Sequence, residues 1–157
     1  MANAARSTLD AKCPILAFMA RPALPEFDTS RPVFVFDGHC VLCSGGASWI
    51  MRLDRKGKIA FASAQSDLGQ ALYAHFGEAF DDTYMIVDGG RAYTKSSGYF
   101  HMCRILGGPW HLLRVFALIP RPLRDWAYGL IARNRYRWFG KADLCQLLTE
   151  DQRKRLL

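Results

Sequence analysis

Two cysteines stand three residues apart where an apolar run ends and a helical pattern begins, in the stretch VFVFDGHCVLCSGGASWIMRL from Val33 to Leu53. The four residues from Val33 to Phe36 are β-formers without polar alternation, which is typical of a strand covered on both faces. Asp37-Gly38 ends this strand. The apolar residues that follow recur at intervals of four, three and three, as on one face of a helix: Cys43, Ala47, Ile50 and Leu53. We expect this helix to end near Gly57.

The residues after this helix complete a familiar order of elements. Ile59 to Ala62 predicts a second strand, so the first three elements form a βαβ unit with parallel strands and a right-handed crossover. A helix, a hairpin and another helix are predicted next, over Asp67 to Phe76, Thr83 to Thr94 and Ser96 to Leu106. The order β-α-β-α-β-β-α, with Cys-X-X-Cys at the first strand-to-helix junction, predicts an α/β protein with a thioredoxin-like fold.

The prolines divide the chain into three parts. All seven lie outside residues 33–108: Pro14, Pro22, Pro25, Pro32, Pro109, Pro120 and Pro122. We predict an irregular N-terminal extension over residues 1–31 and a thioredoxin-like core over residues 32–108. Residues 109–157 are predicted to form a basic, aromatic helical part packed on the same domain, with helices over Trp110 to Ile119 and Leu123 to Ala132. A chain of 157 residues, half of them apolar, is long enough for one such domain.

The spacing of the two cysteines suits thiol–disulfide exchange. Cys40 is predicted at or just before the helix N-terminus, where free backbone N–H groups and the helix dipole stabilise a thiolate. Cys43 lies one turn later on the apolar stripe, so we expect it to be sheltered while Cys40 is accessible. This arrangement predicts Cys40 as the nucleophile and Cys43 as the resolving thiol that leaves a Cys40–Cys43 disulfide.

Three neighbours of the pair have alternative interpretations. Asp37 is either the proton acceptor for Cys43 or a turn-forming Asp-Gly residue, and a carboxylate near Cys40 would raise the pKa of that thiol. For His39 we favour an exposed neutral imidazole over a cation that supports the thiolate. Gly45 and Gly46 indicate either close backbone packing beside the site or simple tolerance in the first turns, at a cost of roughly 1 kcal/mol each relative to alanine.

The net charge of +7 is concentrated in the last third of the chain. Residues 33–108 carry seven basic and seven acidic residues, whereas residues 109–157 carry ten and four. The tail interleaves arginines with aromatic residues in WHLLRVFALIPRPLRDWAYGLIARNRYRWFGK. We favour the interpretation that its apolar side chains cover the sheet while the arginines stay in solvent. Peripheral contact with an anionic membrane is the alternative, and we do not expect nucleic acid to be a partner.

The stretch FDGHCVLC, which supplies Asp37, Cys40 and Cys43, resembles the D-x-x-C-x-x-C signature of the DCC family of thiol-disulfide oxidoreductases. TKSSGYF, and RNRYRWFGK followed by Cys145, are similar to later parts of that family. The resemblance implies a thioredoxin-like fold and exchange chemistry, but names no substrate. Thioredoxins carry a cis-proline before the third strand to dock the target backbone. Here that region reads EAFDDTYM, with Thr83 near the expected position, which weakens the case for docking at this edge.

Other uses of the cysteines are weaker. A structural zinc site would need Cys40, Cys43, His101 and Cys103, but residues two apart on a helix point in different directions, so His101 would face away from Cys103. Cys103 is expected to be a core residue and Cys13 an incidental thiol, while Cys145 is either incidental or a third redox partner. Five cysteines without an export signal argue against a disulfide framework and favour a cytoplasmic protein.

We therefore predict a disulfide reductase without cofactor or bound metal. Val41 and Leu42 place no charge between the cysteines, so nothing favours a strong oxidant. The expected substrate is a disulfide-containing protein or a small-molecule thiol compound, and the electron donor stays open. A zinc-binding or membrane-surface module without redox catalysis is the alternative function.

Overall fold

A computed structural model of the chain describes Phe27 and residues 30–79, 83–142 and 148–157. Its elements begin in the predicted order: β1 Val33–Phe36, α1 Val41–Leu53, β2 Ala60–Ser63, α2 Asp67–Phe76, β3 Met85–Asp88, β4 Arg91–Thr94 and α3 Lys95–Leu106. A 3₁₀ helix, Gly108–Leu118, and two helices follow, α4 Arg121–Phe139 and α5 Glu150–Arg153. The bounds of β1 and α2 are those predicted from the sequence.

The four strands form one mixed sheet in the order β2-β1-β3-β4. β1 pairs with β2 in parallel, from Val33 opposite Ala60 onward, as the βαβ pattern predicts. β3 is antiparallel to both β1 and β4, and Val35 lies opposite Met85. This is a thioredoxin-like α/β fold with appended C-terminal helices, and the prediction of the fold class is confirmed.

Strand β1 is buried on both sides because helices cover both faces of the sheet. Val33 and Val35 pack on one side with Leu72 and Tyr73 of α2. The alternate residues of β1 pack on the other side with residues of α1 and α3: Phe34 and Phe36 with Ala47, Met51 and Met102. The Cys-X-X-Cys segment follows the end of this central strand.

Helix α1 differs from its prediction in rotation and in length. Its buried residues are Ser44, Ala47, Ser48 and Met51, so the buried face is shifted from the predicted apolar stripe. The Ser44 hydroxyl lies 3.2 Å from the Gly38 carbonyl oxygen. The buried serines are tolerated because their hydroxyls are hydrogen-bonded. The helix ends at Leu53 rather than near Gly57, because the buried Asp54 carboxylate accepts the Lys58 and Ile59 amides at 2.9 and 3.0 Å.

The segment after α3 also differs from its prediction. The first predicted helix of this segment is a 3₁₀ helix without a buried residue, and in α4 only Arg135 is buried. The expectation that most apolar side chains here cover the sheet is therefore wrong. Both elements nevertheless pack against α3. Helix α4 begins at Arg121-Pro122, because a proline is tolerated in the first turn of a helix.

The glycines of α1 and α2 have opposite surroundings. A Cβ on Gly69 of α2 would lie 2.1 Å from the Ser63 carbonyl oxygen of β2, so the helix approaches the strand as closely as only glycine allows. A Cβ on Gly45 or Gly46 of α1 would meet nothing within 4 Å. Close packing therefore does not explain the glycine pair in α1, and tolerance does.

We expect Gly69→Ala to lower the free energy of unfolding by about 1–3 kcal/mol, because the added methyl group forces α2 away from β2. Gly45→Ala should instead raise it by up to about 1 kcal/mol, since the site is open and alanine favours the helix. Urea unfolding of both variants measures the two changes. Equal stability of Gly69→Ala and wild type would contradict the close approach.

Candidate active site

Cys40 is the N-cap of α1, as predicted. Its backbone is extended, with φ −89° and ψ 118°, and its Sγ accepts a hydrogen bond from the Cys43 amide at 3.3 Å. No acidic residue lies in the first turn of the helix. The Cys40 sulfur therefore lies at the N-terminus of α1, the end of a helix at which the dipole favours negative charge.

The exposure of the two thiols is the reverse of the prediction. Cys40 is 0% exposed, whereas Cys43 is half-buried. Cys43 lines a cavity that lies between α1, α3, the 3₁₀ helix and α4, whereas Cys40 does not. The predicted arrangement of an accessible Cys40 and a sheltered Cys43 is thus wrong in this conformation.

A short segment after α4, Gly140–Ala142, covers Cys40, and we call it the strap. Lys141 forms an antiparallel β-bridge with Cys40. The Ala142 amide donates to the His39 carbonyl at 3.1 Å, and the Val41 amide donates to the Gly140 carbonyl at 3.5 Å. Gly140 has φ +80°, a left-handed conformation that turns the chain from the helix into the strap.

Asp37 is 3% exposed, and both of its carboxylate oxygens are hydrogen-bonded. Oδ1 accepts the His39 amide at 3.0 Å and the Gln65 side-chain amide at 2.8 Å. Oδ2 accepts the Tyr136 hydroxyl, and it lies 3.4 Å from Arg135 Nη2. Burial raises the pKa of Asp37, but the hydrogen bonds from Tyr136, His39 and Gln65 and the charge of Arg135 outweigh it, so this pKa lies below its ordinary 3.8.

Arg135 is a site residue that the sequence analysis missed. It is 4% exposed, pairs with Asp37, and lines the same cavity as Cys43. Its positive charge acts to lower the pKa of Cys43. Helical spacing could have identified Arg135, because Tyr128, Ala132 and Arg135 fall on one face of α4 and all three line this cavity.

The cavity has a volume of about 270 Å³ and lies between α1, α3, the 3₁₀ helix and α4. Aromatic side chains form much of its wall: Phe34, Phe36, Trp49, Tyr84, Tyr99, Trp110 and Tyr128. Cys103 lines it too, which places that thiol within reach of a bound ligand. Trp49, Tyr99 and Ile131 line the cavity and are also exposed, so they form part of its rim.

The surroundings of Cys43 make its thiol hard to ionise. Burial raises the pKa of the Cys43 thiol well above its ordinary 9.0, and the hydrogen bond to Cys40 and the charge of Cys40 raise it further. The direct interaction between the two thiols means that ionisation of one opposes ionisation of the other.

Thr83 lies beside Asp37, because β3 runs antiparallel to β1 from Met85 opposite Val35. The described residues contain no cis peptide bond. The Thr83 hydroxyl accepts the Lys95 amide at 3.0 Å and lies 3.2 Å from the Tyr128 hydroxyl. The Thr83 side chain is thus held by contacts with β4–α3 and α4, and the expectation about docking at this edge stays a prediction.

The other predicted residues are accounted for in part. His39 is exposed, as expected. His101 Nε2 lies 2.7 Å from Asp88 Oδ2 and the His101 ring stacks on Tyr93, away from the cavity that Cys103 lines. In the part of the chain that the structure describes, no three His, Cys, Asp or Glu residues are grouped to hold a metal. Cys13 and Cys145 lie outside the described residues.

Comparisons with known proteins identify the family of the chain. No solved structure matches the chain. The chain is 42% identical over 127 residues to the uncharacterized protein YuxK of Bacillus subtilis (strain 168), which covers 80% of this chain and 93% of YuxK. It is 35% identical over 123 residues to the DCC family protein At1g52590, chloroplastic, of Arabidopsis thaliana, covering 76% and 72%. The family model described as DCC1-like thiol-disulfide oxidoreductase matches residues 34–141. This chain therefore belongs to the DCC family of thiol-disulfide oxidoreductases.

Proposed function

We propose that this protein reduces disulfides through the Cys40–Cys43 pair, with Cys40 as nucleophile and Cys43 as resolving thiol. The observation that carries the proposal is the position of Cys40 as the N-cap of α1, where its Sγ accepts the Cys43 amide. An anion at a helix N-terminus is stabilised, and the thiolate is the form of cysteine that attacks. Family membership supports the reaction class.

The proposed reaction has two exchange steps. The Cys40 thiolate attacks one sulfur of the substrate disulfide, which forms a mixed disulfide and releases the other substrate sulfur as a thiolate. The Cys43 thiolate then attacks Cys40 Sγ, which forms the Cys40–Cys43 disulfide and releases the second substrate sulfur. The substrate gains two electrons and two protons, and an external dithiol or thiol donor must return two electrons to the pair.

The surroundings of Cys43 suit this order of events. Two influences that raise the pKa of Cys43 are its hydrogen bond to Cys40 and the negative charge of Cys40. Both disappear when Cys40 becomes part of a mixed disulfide, because that sulfur no longer carries a charge. The charge of Arg135 still favours the Cys43 thiolate at that point. Burial, which raises the pKa of Cys43 most, and the charge of Asp37 are unchanged by this step, so the pKa of Cys43 falls but burial still opposes its ionisation.

The attack by Cys40 requires its surroundings to open, because Cys40 is fully buried, and Lys141 of the strap is paired with it. Between the described residues of the strap and the cysteine loop there are two backbone hydrogen bonds, one of which is long at 3.5 Å. We therefore infer that a substrate displaces Gly140–Ala142. The reverse assignment, with Cys43 as the entry thiol, follows if substrates reach the pair only through the cavity.

Asp37 takes a positioning role in this proposal. A carboxylate with a lowered pKa is a weak base, so Asp37 is a poor proton acceptor for a thiol whose pKa is raised. Its partners instead fix the cysteine loop to α4 through Arg135 and Tyr136. The role of proton acceptor that the sequence suggested stays a prediction.

Two finer predictions depend on no observation of the structure. The reductase direction rests on the absence of charge at Val41 and Leu42. A cytoplasmic location also stays a prediction, and the name of the plant relative describes that protein as chloroplastic.

Replacing Asp37 tests the network around the cysteine loop. Asp37→Asn should lower the free energy of unfolding at pH 7 by about 2 kcal/mol, because it removes a buried charge that Tyr136 and Arg135 bind. Since the pKa of Asp37 is lowered by folding, the stability that its charge contributes is complete above the ordinary pKa of 3.8 and is lost as the pH falls through the lowered value. Chemical denaturation from pH 7 to pH 2.5 should therefore show the two curves converging at low pH. A gap that is constant with pH would contradict the role of the charge.

Alkylation and mass spectrometry across a dithiothreitol redox titration test the reaction. We expect a reversible two-electron couple between Cys40 and Cys43, which Cys103→Ser leaves unchanged. With glutathione disulfide, Cys43→Ser should accumulate a mixed disulfide at Cys40. Absence of the couple would overturn the proposed reaction. Accumulation at Cys43 in Cys40→Ser, without accumulation at Cys40 in Cys43→Ser, would reverse the two roles.

The apolar cavity beside Cys43 predicts a preference for disulfides that carry an apolar group. Gly46 lines this cavity, whereas Gly45 does not, and an added Cβ meets nothing within 4 Å at either residue. Gly46→Leu should lower kcat/KM for a diaryl disulfide about tenfold and leave glutathione disulfide nearly unaffected. Gly45→Leu is the matched control. Equal losses for the two substrates would show that the cavity does not hold the substrate.

A further inference from the structure

The 3₁₀ helix presents a row of large apolar side chains to solvent. Leu112, Val115 and Leu118 are spaced by three residues, and in a helix of three residues per turn this spacing places them on one face. All three are exposed, and Leu118 is 84% exposed. A helix that packed only against the core of this domain would bury these three side chains.

Helix α4 repeats the pattern. Leu123, Trp126 and Leu130 are spaced by three and four residues, so they share one face, and all are exposed, with Trp126 at 62%. Arg133 and Arg137 continue the same face toward the end of the helix. The outward face of α4 is therefore apolar in its first half and basic in its second half.

A groove lined by arginines lies between these elements and α3. Its volume is about 370 Å³, and four arginines line it: Arg104, Arg114, Arg121 and Arg124. No carboxylate of the described residues lines the groove, and the nearby Asp125 lies 3.5 Å from Arg121 and accepts a hydrogen bond from Ser96. The positive charge of the groove thus exceeds what its neighbours neutralise, and it complements an anionic group.

We propose that the protein docks on the surface of an anionic membrane through these two apolar rows and the arginine groove. Exposed apolar side chains with tryptophan enter the interfacial region of a bilayer, while arginines bind lipid phosphates. A second copy of the chain fits less well, because it would bring arginine-rich faces together. Among the described residues, each helix is too short or too polar to cross a bilayer.

Co-sedimentation of the full-length protein with vesicles tests the docking. We expect binding to vesicles that contain phosphatidylglycerol, weaker binding to phosphatidylcholine alone, and a loss of affinity as salt is raised. Leu118→Glu should weaken binding to the anionic vesicles at least tenfold. Ala74→Glu is the matched control, because it places the same charge on an exposed residue of α2, across the sheet. Arg114→Gln should weaken binding and reduce its dependence on salt.

Two further measurements test whether another segment of the chain or a second copy covers this surface in place of a membrane. If the surface is covered by another segment of the same chain, Leu118→Glu lowers the melting temperature, and that result overturns the proposal. If it binds a second copy, light scattering shows a dimer that Leu118→Glu dissociates without any binding to vesicles, which also overturns it. Equal binding to both vesicle types would reject the role of the arginines. Cys40→Ser should bind vesicles as wild type does, so failure of the redox proposal leaves this one testable.

Discussion

The buried carboxylate of Asp37 is the interaction on which the arrangement of the site depends. A buried charge is stable only when it is paired and hydrogen-bonded, and the partners of Asp37 come from three separate parts of the chain. His39 belongs to the cysteine loop, Gln65 follows β2, and Arg135 and Tyr136 belong to α4. This one side chain thereby holds the appended helix against the thioredoxin-like core.

The position of α4 then determines two features of the site. Its inward residues, Tyr128, Ala132 and Arg135, form one wall of the cavity beside Cys43. Its end leads through Gly140 into the strap over Cys40. One wall of the apolar cavity and the strap beside the buried thiol thus come from a segment outside the βαβ and hairpin elements of the fold. The chemistry of the pair is inseparable from this added segment.

Local patterns were sufficient for the fold. The apolar run of β1, the helical spacing of α2 and the Cys40 N-cap were each predictable, because each depends on residues close together in sequence. The rotation of α1 was not predictable in this way, since it depends on polar contacts that hydrophobicity does not reveal, such as that of Ser44. The exposure of the two thiols was predicted in the wrong order, because the strap that covers Cys40 comes from 100 residues further along the chain.

The strap has a consequence for how reactivity is controlled. A covered sulfur reacts only in the fraction of molecules in which its cover is displaced, so its rate reflects an opening equilibrium as well as its own nucleophilicity. A molecule that displaces the Gly140–Ala142 backbone from His39 and Val41 reaches the Cys40 sulfur in the same step. Recognition of the substrate and exposure of the Cys40 sulfur then occur together. A molecule that does not displace the strap does not react with Cys40.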